Sequence, residues 1–332
     1  KNLIITKKIK KNVLLLGSSG GIGFSVAQKL LKSGYTVYCQ YNSEKENLNL
    51  LKKKFKNKTH IAKSFEEILN NKNIENIILA THPSVNFNLG KKVLESKKNL
   101  FVEKPIVSKT KNLRELIKYA DLNKKVLMGG YIYLFNSYIK KIKSIIESRK
   151  LGKIKYIEIQ RKNLGPIRNE ISSHLDLGSH DISIVKFLFN SKPKIKNIIK
   201  RNILKKNISD ISSINLSIGK INCEITSSWL NPTKERKIMI IGSKKMLLFD
   251  EMNESNKLRV FNKFAYYPKL SKFKKNYISN KARIYLGKTK NVKIKETDTL
   301  KNELNYFEKI SKKKQQPISD GKFCLDVLKL IT

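Results

Sequence analysis

Four short segments of this 332-residue chain hold residue types whose spacing could do chemistry. The first is Gly17-Ser18-Ser19-Gly20-Gly21-Ile22-Gly23, set between an apolar run and a helical one. Glycines there let the backbone close on a pyrophosphate, and the N-terminus of the following helix favours its charge. The spacing is GxxGxxG, one residue longer than the usual dinucleotide pattern. The second segment, Gln40-Tyr41-Asn42-Ser43, ends the next apolar run without an Asp or Glu. An acid at that tip would hold a ribose 2′-hydroxyl and repel a 2′-phosphate. Its absence, with Lys45 close by, leans toward NADP, although Asn42 or Ser43 would equally serve the ribose of NAD.

The third segment is Glu103-Lys104-Pro105, directly after apolar Leu100 to Val102. Ligands of open α/β sheets gather at the carboxyl ends of strands. Pro105 keeps Lys104 out of helical geometry, so no helix carries its amine away. The plainer alternative is an exposed surface lysine. The fourth is Asp176-Leu177-Gly178-Ser179-His180, opening the apolar run Ile182 to Phe189. On an α-helix Asp176 and His180 would share a face, with Gly178 leaving room for a ligand. Here the alternative is a capping Asp beside a structural His.

These segments need a frame, and the apolar periodicity supplies one. Asn12 to Leu16 predicts a strand, Phe24 to Lys32 a helix stopped at Gly34, and Thr36 to Tyr41 a second strand. Helices follow near Leu48 to Phe55 and Phe65 to Asn70, then a strand at Asn76 to Ala80 and a helix near Val85 to Ser96. Leu100 to Val102 and Val126 to Met128 are strands around a helix at Asn112 to Leu122. This alternation predicts an α/β Rossmann domain with a doubly wound parallel sheet over residues 1–128.

Beyond it, Asn136 to Lys150 reads as a helix. Period-two stretches follow at Ile154 to Ile159, Ile214 to Ile218 and Ile221 to Ile225, with turns at Gly219-Lys220 and Gly242-Ser243. Consecutive hairpins predict an α+β domain over 129–332 with a mostly antiparallel open sheet. Lys257 to Lys290 is basic and resists placement.

Seventy basic residues against 26 acidic give a net charge of +44. Charge of that size suggests nucleic acid, but the lysines are spread along the whole chain and no aromatic-basic RNA motif accompanies them. The reading therefore excludes a specific nucleic-acid partner and favours anionic small ligands. No apolar run reaches the roughly 18 residues of a membrane span, and Leu3 to Ile5 is too short for a signal peptide's centre. Three scattered cysteines and four histidines make no metal-ligand pattern. A reducing, cytoplasmic setting without a metal is expected.

Taken together, the glycine turn, the Glu-Lys-Pro after a later strand and the DxGxH opening a helix resemble the glucose–fructose oxidoreductase/inositol dehydrogenase family over most of the chain. The resemblance implies that Ala80-Thr81-His82-Pro83 holds the nicotinamide half of NAD or NADP, with Glu103 and Lys104 beside it. It implies a catalytic trio of Lys104, Asp176 and His180. Gly242-Ser243-Lys244-Lys245 matches the family's turn in the second domain. Asn163 to Arg168 is similar to members that oxidise nucleotide-linked sugars. Ser183 stands where a second Asp is usual and Leu134 where many members have Arg, so the pocket departs from the better-known sugars. A Tyr-x-x-x-Lys pair in mid-chain is missing, which argues against the short-chain dehydrogenases.

The expected activity is hydride transfer between the nicotinamide and a secondary alcohol or ketone of a sugar, inositol or nucleotide-linked sugar. A base within hydrogen-bond reach of the hydroxyl is required. His180 has a suitable reference pKa of about 6.5; Lys104 would stabilise the alkoxide, and the two could exchange roles. Asp176 would position His180 or accept another hydroxyl. Tyr133, Arg161, Asn163 and Arg168 complete the substrate set, the arginines meeting an anionic group. By analogy the open sheet favours a homo-oligomer. The competing reading is a cofactor-binding sensor without turnover, which an assay of cofactor turnover separates.

Overall fold

The computed structural model describes residues 12–17, 21–40, 46–62, 64–169, 171–267 and 281–332. They form two compact units, 1–135 with 298–329, and 136–297 with 330–332.

In the first unit the strands are β1 (Asn12–Leu16), β2 (Thr36–Gln40), β3 (Thr59–Ile61), β4 (Asn76–Leu79), β5 (Asn99–Glu103) and β6 (Leu127–Gly130). Between them run α1 (Gly21–Lys32), α2 (Glu46–Phe55), α3 (Phe65–Asn70), α4 (Pro83–Glu95) and α5 (Thr110–Leu122). All neighbouring strands pair in parallel, in the order β3-β2-β1-β4-β5-β6. Helices cover both faces of such a sheet, so its strands read as unbroken apolar runs. Ile77, Ile78 and Leu79 of β4 and Leu100, Phe101 and Val102 of β5 are all buried. The strand order reverses between β1 and β4, which opens a crevice at their carboxyl ends.

The second unit opens with α6 (Ser137–Glu147), capped by Asn136, whose side chain accepts from the backbone of Tyr138 and Ile139. Ile139, Ile142 and Ile145 are its buried face. Then come β7 (Ile154–Leu164), one turn of π-helix at His174–Gly178, α7 (Ser179–Phe189) and β8 (Lys194–Arg201). The remaining strands are β9 (Ile211–Ile218), β10 (Ile221–Ser228), β11 (Leu230–Gly242), β12 (Met246–Asp250), β13 (Leu258–Tyr266) and β14 (Arg283–Asn291). The sheet order is β14-β13-β12-β11-β7-β10-β9-β8, antiparallel except for the β7–β10 pair. Gly219 takes φ +57° in the two-residue turn between β9 and β10, as the hairpin signal requires.

The domain expectation needs correction at its second boundary. The chain returns with α8 (Thr299–Lys313) and α9 (Gly321–Ile331), and residues 298–329 belong to the first unit, not to a 129–332 domain. The reason is packing. Leu304, Phe307 and Ile310 are the buried stripe of α8, and Phe307 meets Phe101 of β5 with ring centroids 5.6 Å apart. Tyr306 packs on Phe135 and Phe323 of α9 on Tyr131. Ser319 clamps β6, its carbonyl accepting from the Gly129 amide at 2.8 Å while its hydroxyl donates to the Gly129 carbonyl at 2.8 Å. The first unit also extends past Met128 to Phe135.

Candidate functional site

In the first unit the candidate residues lie at the carboxyl ends of β1, β4 and β5. Gly17 follows β1 at φ +73°, and a Cβ built on it would stand 2.5 Å from the carbonyl oxygen of Ala80, after β4. Two backbones touch there with no room for a side chain, the close approach a dinucleotide turn demands. Gly21, with open space around its Cα, starts α1, whose first turn holds no acid and whose last turn holds Lys29 and Lys32. That charge order leaves the helix N-terminus fit for an anion. Gly23 is buried in α1 and Ile22 is exposed. Ser18, Ser19 and Gly20, with Tyr41, Asn42, Ser43 and Lys45, lie outside the described residues.

Along the neighbouring loop, His82 caps α4, its ring accepting from the Ser84 amide, and Pro83 is the first helical residue. Thr81 Oγ1 donates to Asn86 Oδ1 at 2.5 Å. The amide nitrogen of Asn86 is buried without a partner among the described residues. A buried donor left over at this edge, the Gly17–Ala80 approach and the acid-free helix start all suit a dinucleotide.

Glu103 closes β5, and Lys104 follows on a bend that stays non-helical until Thr110, with a cis peptide to Pro105. The Glu103 carboxyl lies against Gly130, where a Cβ would approach Oε2 to 2.8 Å. Loss of solvent pushes its pKa up to about 7, against the pull of the Lys104 charge. Glu303 of α8 is fully buried, and neither of its carboxylate oxygens has a partner among the described residues. Burial, then the charge of Glu103, raises it well above the carboxylate range, so it holds a proton. Sequence reasoning missed Glu303; an acid between Asn302 and Leu304 in an amphipathic helix signals nothing by itself. Tyr133 sits on the short turn Ile132–Phe135, and Leu134 is a core residue there.

In the second unit Asp176 and His180 are not spaced on a regular α-helix. Asp176 lies within the π-turn and His180 in the first turn of α7, so the expected α-helical face-sharing is replaced by a wider turn, a form frequent at functional sites. Asp176 is no helix cap; its Oδ2 is 3.6 Å from Nε of exposed Arg168. His174 has a structural role, bonded to Ser209 Oγ at 3.1 Å, and burial, then Lys200, lowers its pKa to about 4.

Arg161 is the second correction. Alternation along β7 places Ile157, Ile159 and Arg161 on the buried face. The Arg161 guanidinium donates to Asp181 of α7 through Nε at 2.9 and 3.0 Å and through Nη2 at 2.7 Å. The two side chains are only 6% and 0% exposed. An arginine committed in this way is not offered to a substrate anion. Asp181 was legible as its partner only from tertiary contact. Asn163 accepts from Arg236 Nη2 at 2.6 Å and donates to the Gly165 carbonyl.

Among the described residues no group of three or more His, Cys, Asp or Glu side chains could hold a metal, and no helix is long and apolar enough to cross a membrane.

Comparison with known proteins agrees with this arrangement. Residues 11–131 match the oxidoreductase family with an NAD-binding Rossmann fold, and residues 139–248 match the GFO/IDH/MocA C-terminal domain. An uncharacterized oxidoreductase, YhhX of Escherichia coli, is 25% identical over 56% of this chain and 55% of its own length. A second, from Streptococcus pneumoniae, is 22% identical over 62% and 60%. The chain thus spans a little over half the length of these curated relatives. Among solved structures, UDP-N-acetylglucosamine 3-dehydrogenase GnnA of Acidithiobacillus ferrooxidans superposes with a TM-score of 0.77 over 97% of both chains at 16% identity. KijD10, a 3-ketoreductase of Actinomadura kijaniata in complex with TDP-benzene and NADP, gives 0.76 over 97% and 96% at 10%. Aldose-aldose oxidoreductase of Caulobacter crescentus gives 0.78 over 97% and 95% at 13%. With both of its units matched, the chain belongs to the glucose–fructose oxidoreductase/inositol dehydrogenase family of oxidoreductases.

Proposed function

We propose that the protein transfers hydride between NAD(P) and a secondary alcohol or ketone on a sugar-like ring, with a nucleotide-linked sugar as the favoured substrate. The observation that carries this reading is the first unit's crevice: Gly17 closes on Ala80 after β4, and Lys104 leaves the end of β5, the next strand over. The nicotinamide, when bound, supplies the hydride acceptor or donor. Lys104 donates a hydrogen bond to the reacting oxygen and stabilises alkoxide charge. Glu103, a part-buried carboxyl fixed against Gly130, sets the electrostatic field at the lysine. His180 accepts the hydroxyl proton in the oxidative direction, and Asp176 orients the substrate or the imidazole.

Arg168, exposed and beside Asp176, supplies a cationic contact for an anionic group of the substrate, and Asn163 a polar one; Arg161 is withdrawn from the substrate set. GnnA and KijD10 are named for reactions on nucleotide-linked sugars or crystallised with a nucleotide analogue, which supports the same substrate class here. NADP over NAD rests on the acid missing from Gln40 to Ser43.

The test is Lys104→Met, with cofactor titration by nicotinamide fluorescence beside turnover with nucleotide sugars. Cofactor affinity within about threefold of wild type and turnover cut at least about a hundredfold is the expected outcome. Near-normal turnover removes Lys104 from the chemistry, and folded wild-type protein that binds neither NADH nor NADPH removes the enzyme reading.

A further inference from the structure

At the opposite edge of the first unit's sheet, where β4, β5 and β6 begin, lies a second concave site. It is an open cavity of about 680 Å³, within the size range of small-ligand sites. Lys72, Lys97, Lys98, Lys124, Lys125 and Lys314 line it, with Asn70, Asn99, Ser96 and a single carboxylate, Glu75. Lys312 also lines it but is paired with Glu308 at 2.5 Å. A neighbouring hollow of about 530 Å³ shares Lys124, Lys125 and Lys314 and adds two carboxylates, Asp121 and Asp320.

The plain explanation is that lysines complement helix C-termini. Helices α3, α4, α5 and α8 do end at this edge. Each end offers at most about half a negative charge, about two for the four. With Glu75 added, roughly three of the six unpaired lysines are offset; Asp121 and Asp320 of the neighbouring hollow screen part of the rest, and a net positive charge remains. Lys72, Lys97, Lys124, Lys125 and Lys314 make no ion pair with a described residue. Lys98 is buried, its ammonium donating to the carbonyls of Asn71 at 2.8 Å and Ile74 at 2.6 Å. Burial, then the charge of Lys125, lowers its pKa, so the lysines repel one another across the basin. Three of them, Lys97, Lys124 and Lys314, stand at or just past the ends of α4, α5 and α8 with φ of 56°, 52° and 51°. Glycine or asparagine usually occupies such positions; here three helix ends bring three ammonium groups to one hollow.

We infer that this lysine basin binds a small oligophosphate anion, at a site separate from the dinucleotide turn. A compact, multiply charged anion matches the sign of the uncompensated charge and fits the volume. No aromatic residue lines the basin, so bases would find no stacking platform, and recognition rests on phosphates.

The probes are inorganic tripolyphosphate and ATP, titrated calorimetrically into the full protein at about 0.1 M ionic strength. Both should bind with similar affinity, and more weakly as salt rises. The double variant K125E/K314E should raise the dissociation constant of tripolyphosphate at least about tenfold. K206E/K220E, equal in charge change but on exposed lysines of the other unit, should change it by less than about threefold. Equal losses in the two variants would make the effect bulk charge and overturn the inference. Binding unaffected by K125E/K314E would place the anion elsewhere, and binding of ATP alone would make it a nucleotide site; either outcome overturns it too. Should K125E/K314E not fold, lysine acetylation of the wild type decides: tripolyphosphate must protect Lys72, Lys97, Lys124, Lys125 and Lys314 over Lys206 and Lys220.

Discussion

Replacing Arg161 by Met asks whether the buried pair on β7 is structural or a substrate contact. The pair has three hydrogen bonds between 2.7 and 3.0 Å, and Asp181 is fully enclosed. Removing the guanidinium strands a carboxylate without solvent, and breaking such a pair costs about 3–5 kcal/mol. For a domain of this size each kcal/mol moves the melting point by about 2–4 °C, so R161M should melt roughly 6–20 °C lower. The double variant R161M/D181L removes both charges and fills the space with apolar atoms, and should recover most of the loss, since apolar replacement of a whole buried pair is often neutral or stabilising. The assay is thermal and urea unfolding of wild type, R161M, D181L and the double variant as a cycle. A large positive coupling is expected. If R161M melts within about 2 °C of wild type and raises KM instead, the guanidinium serves substrate, and the structural assignment of Arg161 fails.

Gly17→Ala places a methyl 2.5 Å from the Ala80 carbonyl oxygen at φ +73°. The left-handed backbone alone costs about 1–2 kcal/mol, and the displaced loop should weaken NADH or NADPH binding at least about tenfold; an unchanged titration would separate this turn from the cofactor. Glu103 and Glu303 have folded-state pKa values raised above 4.5, so the native state binds more protons than the unfolded one and stability falls as pH rises from about 4.5 to 7. Glu303→Gln should therefore melt above wild type at pH 8 and lose that advantage at pH 4; equal gains at both would contradict a buried protonated acid. His174, lowered from 6.5 to about 4, works in the other direction. Its contribution is present above pH 6.5 and lost as pH falls toward 4, and His174→Gln should flatten the fall in urea midpoint between pH 7 and 5.

Much of the frame was legible because parallel strands buried on both faces leave continuous apolar runs. That is why β1, β2, β4, β5 and β6 could be read within a residue or two. β3 was missed, since Thr59 to Ile61 is too short to show a period. β8, β13 and β14 were missed for a different reason; Leu258 to Tyr266 is half-buried over most of its length and shows no alternation. Lys194 to Arg201 and Arg283 to Asn291 are mostly exposed and lysine-rich, so neither carries a buried alternation. The position of Arg161 was available in principle: it stands two residues after Ile159 and four after Ile157, in phase with the buried pair. An inward charge needs a partner, and Asp181 is next to the His180 that drew attention first. The widened turn at His174–Gly178 has no residue signature, so an α-helical spacing was the natural reading of Asp176 and His180.

Local chemistry in the chain determined the βαβ opening, the glycine turn, the placement of Lys104 at the end of a strand and the hairpins of the second sheet. Each depends on residues within a few positions of one another. Only the tertiary structure decided that α8 and α9 return to the first unit, that Glu303 is buried near Glu103, that Arg161 is held by Asp181, and that lysines from four separate connections meet in one basin. An apolar stripe says that a helix face must leave water but not which surface receives it, because the hydrophobic effect is non-directional. Charges brought together by that choice of surface, distant in sequence and unpaired in space, become visible only once the surface is formed.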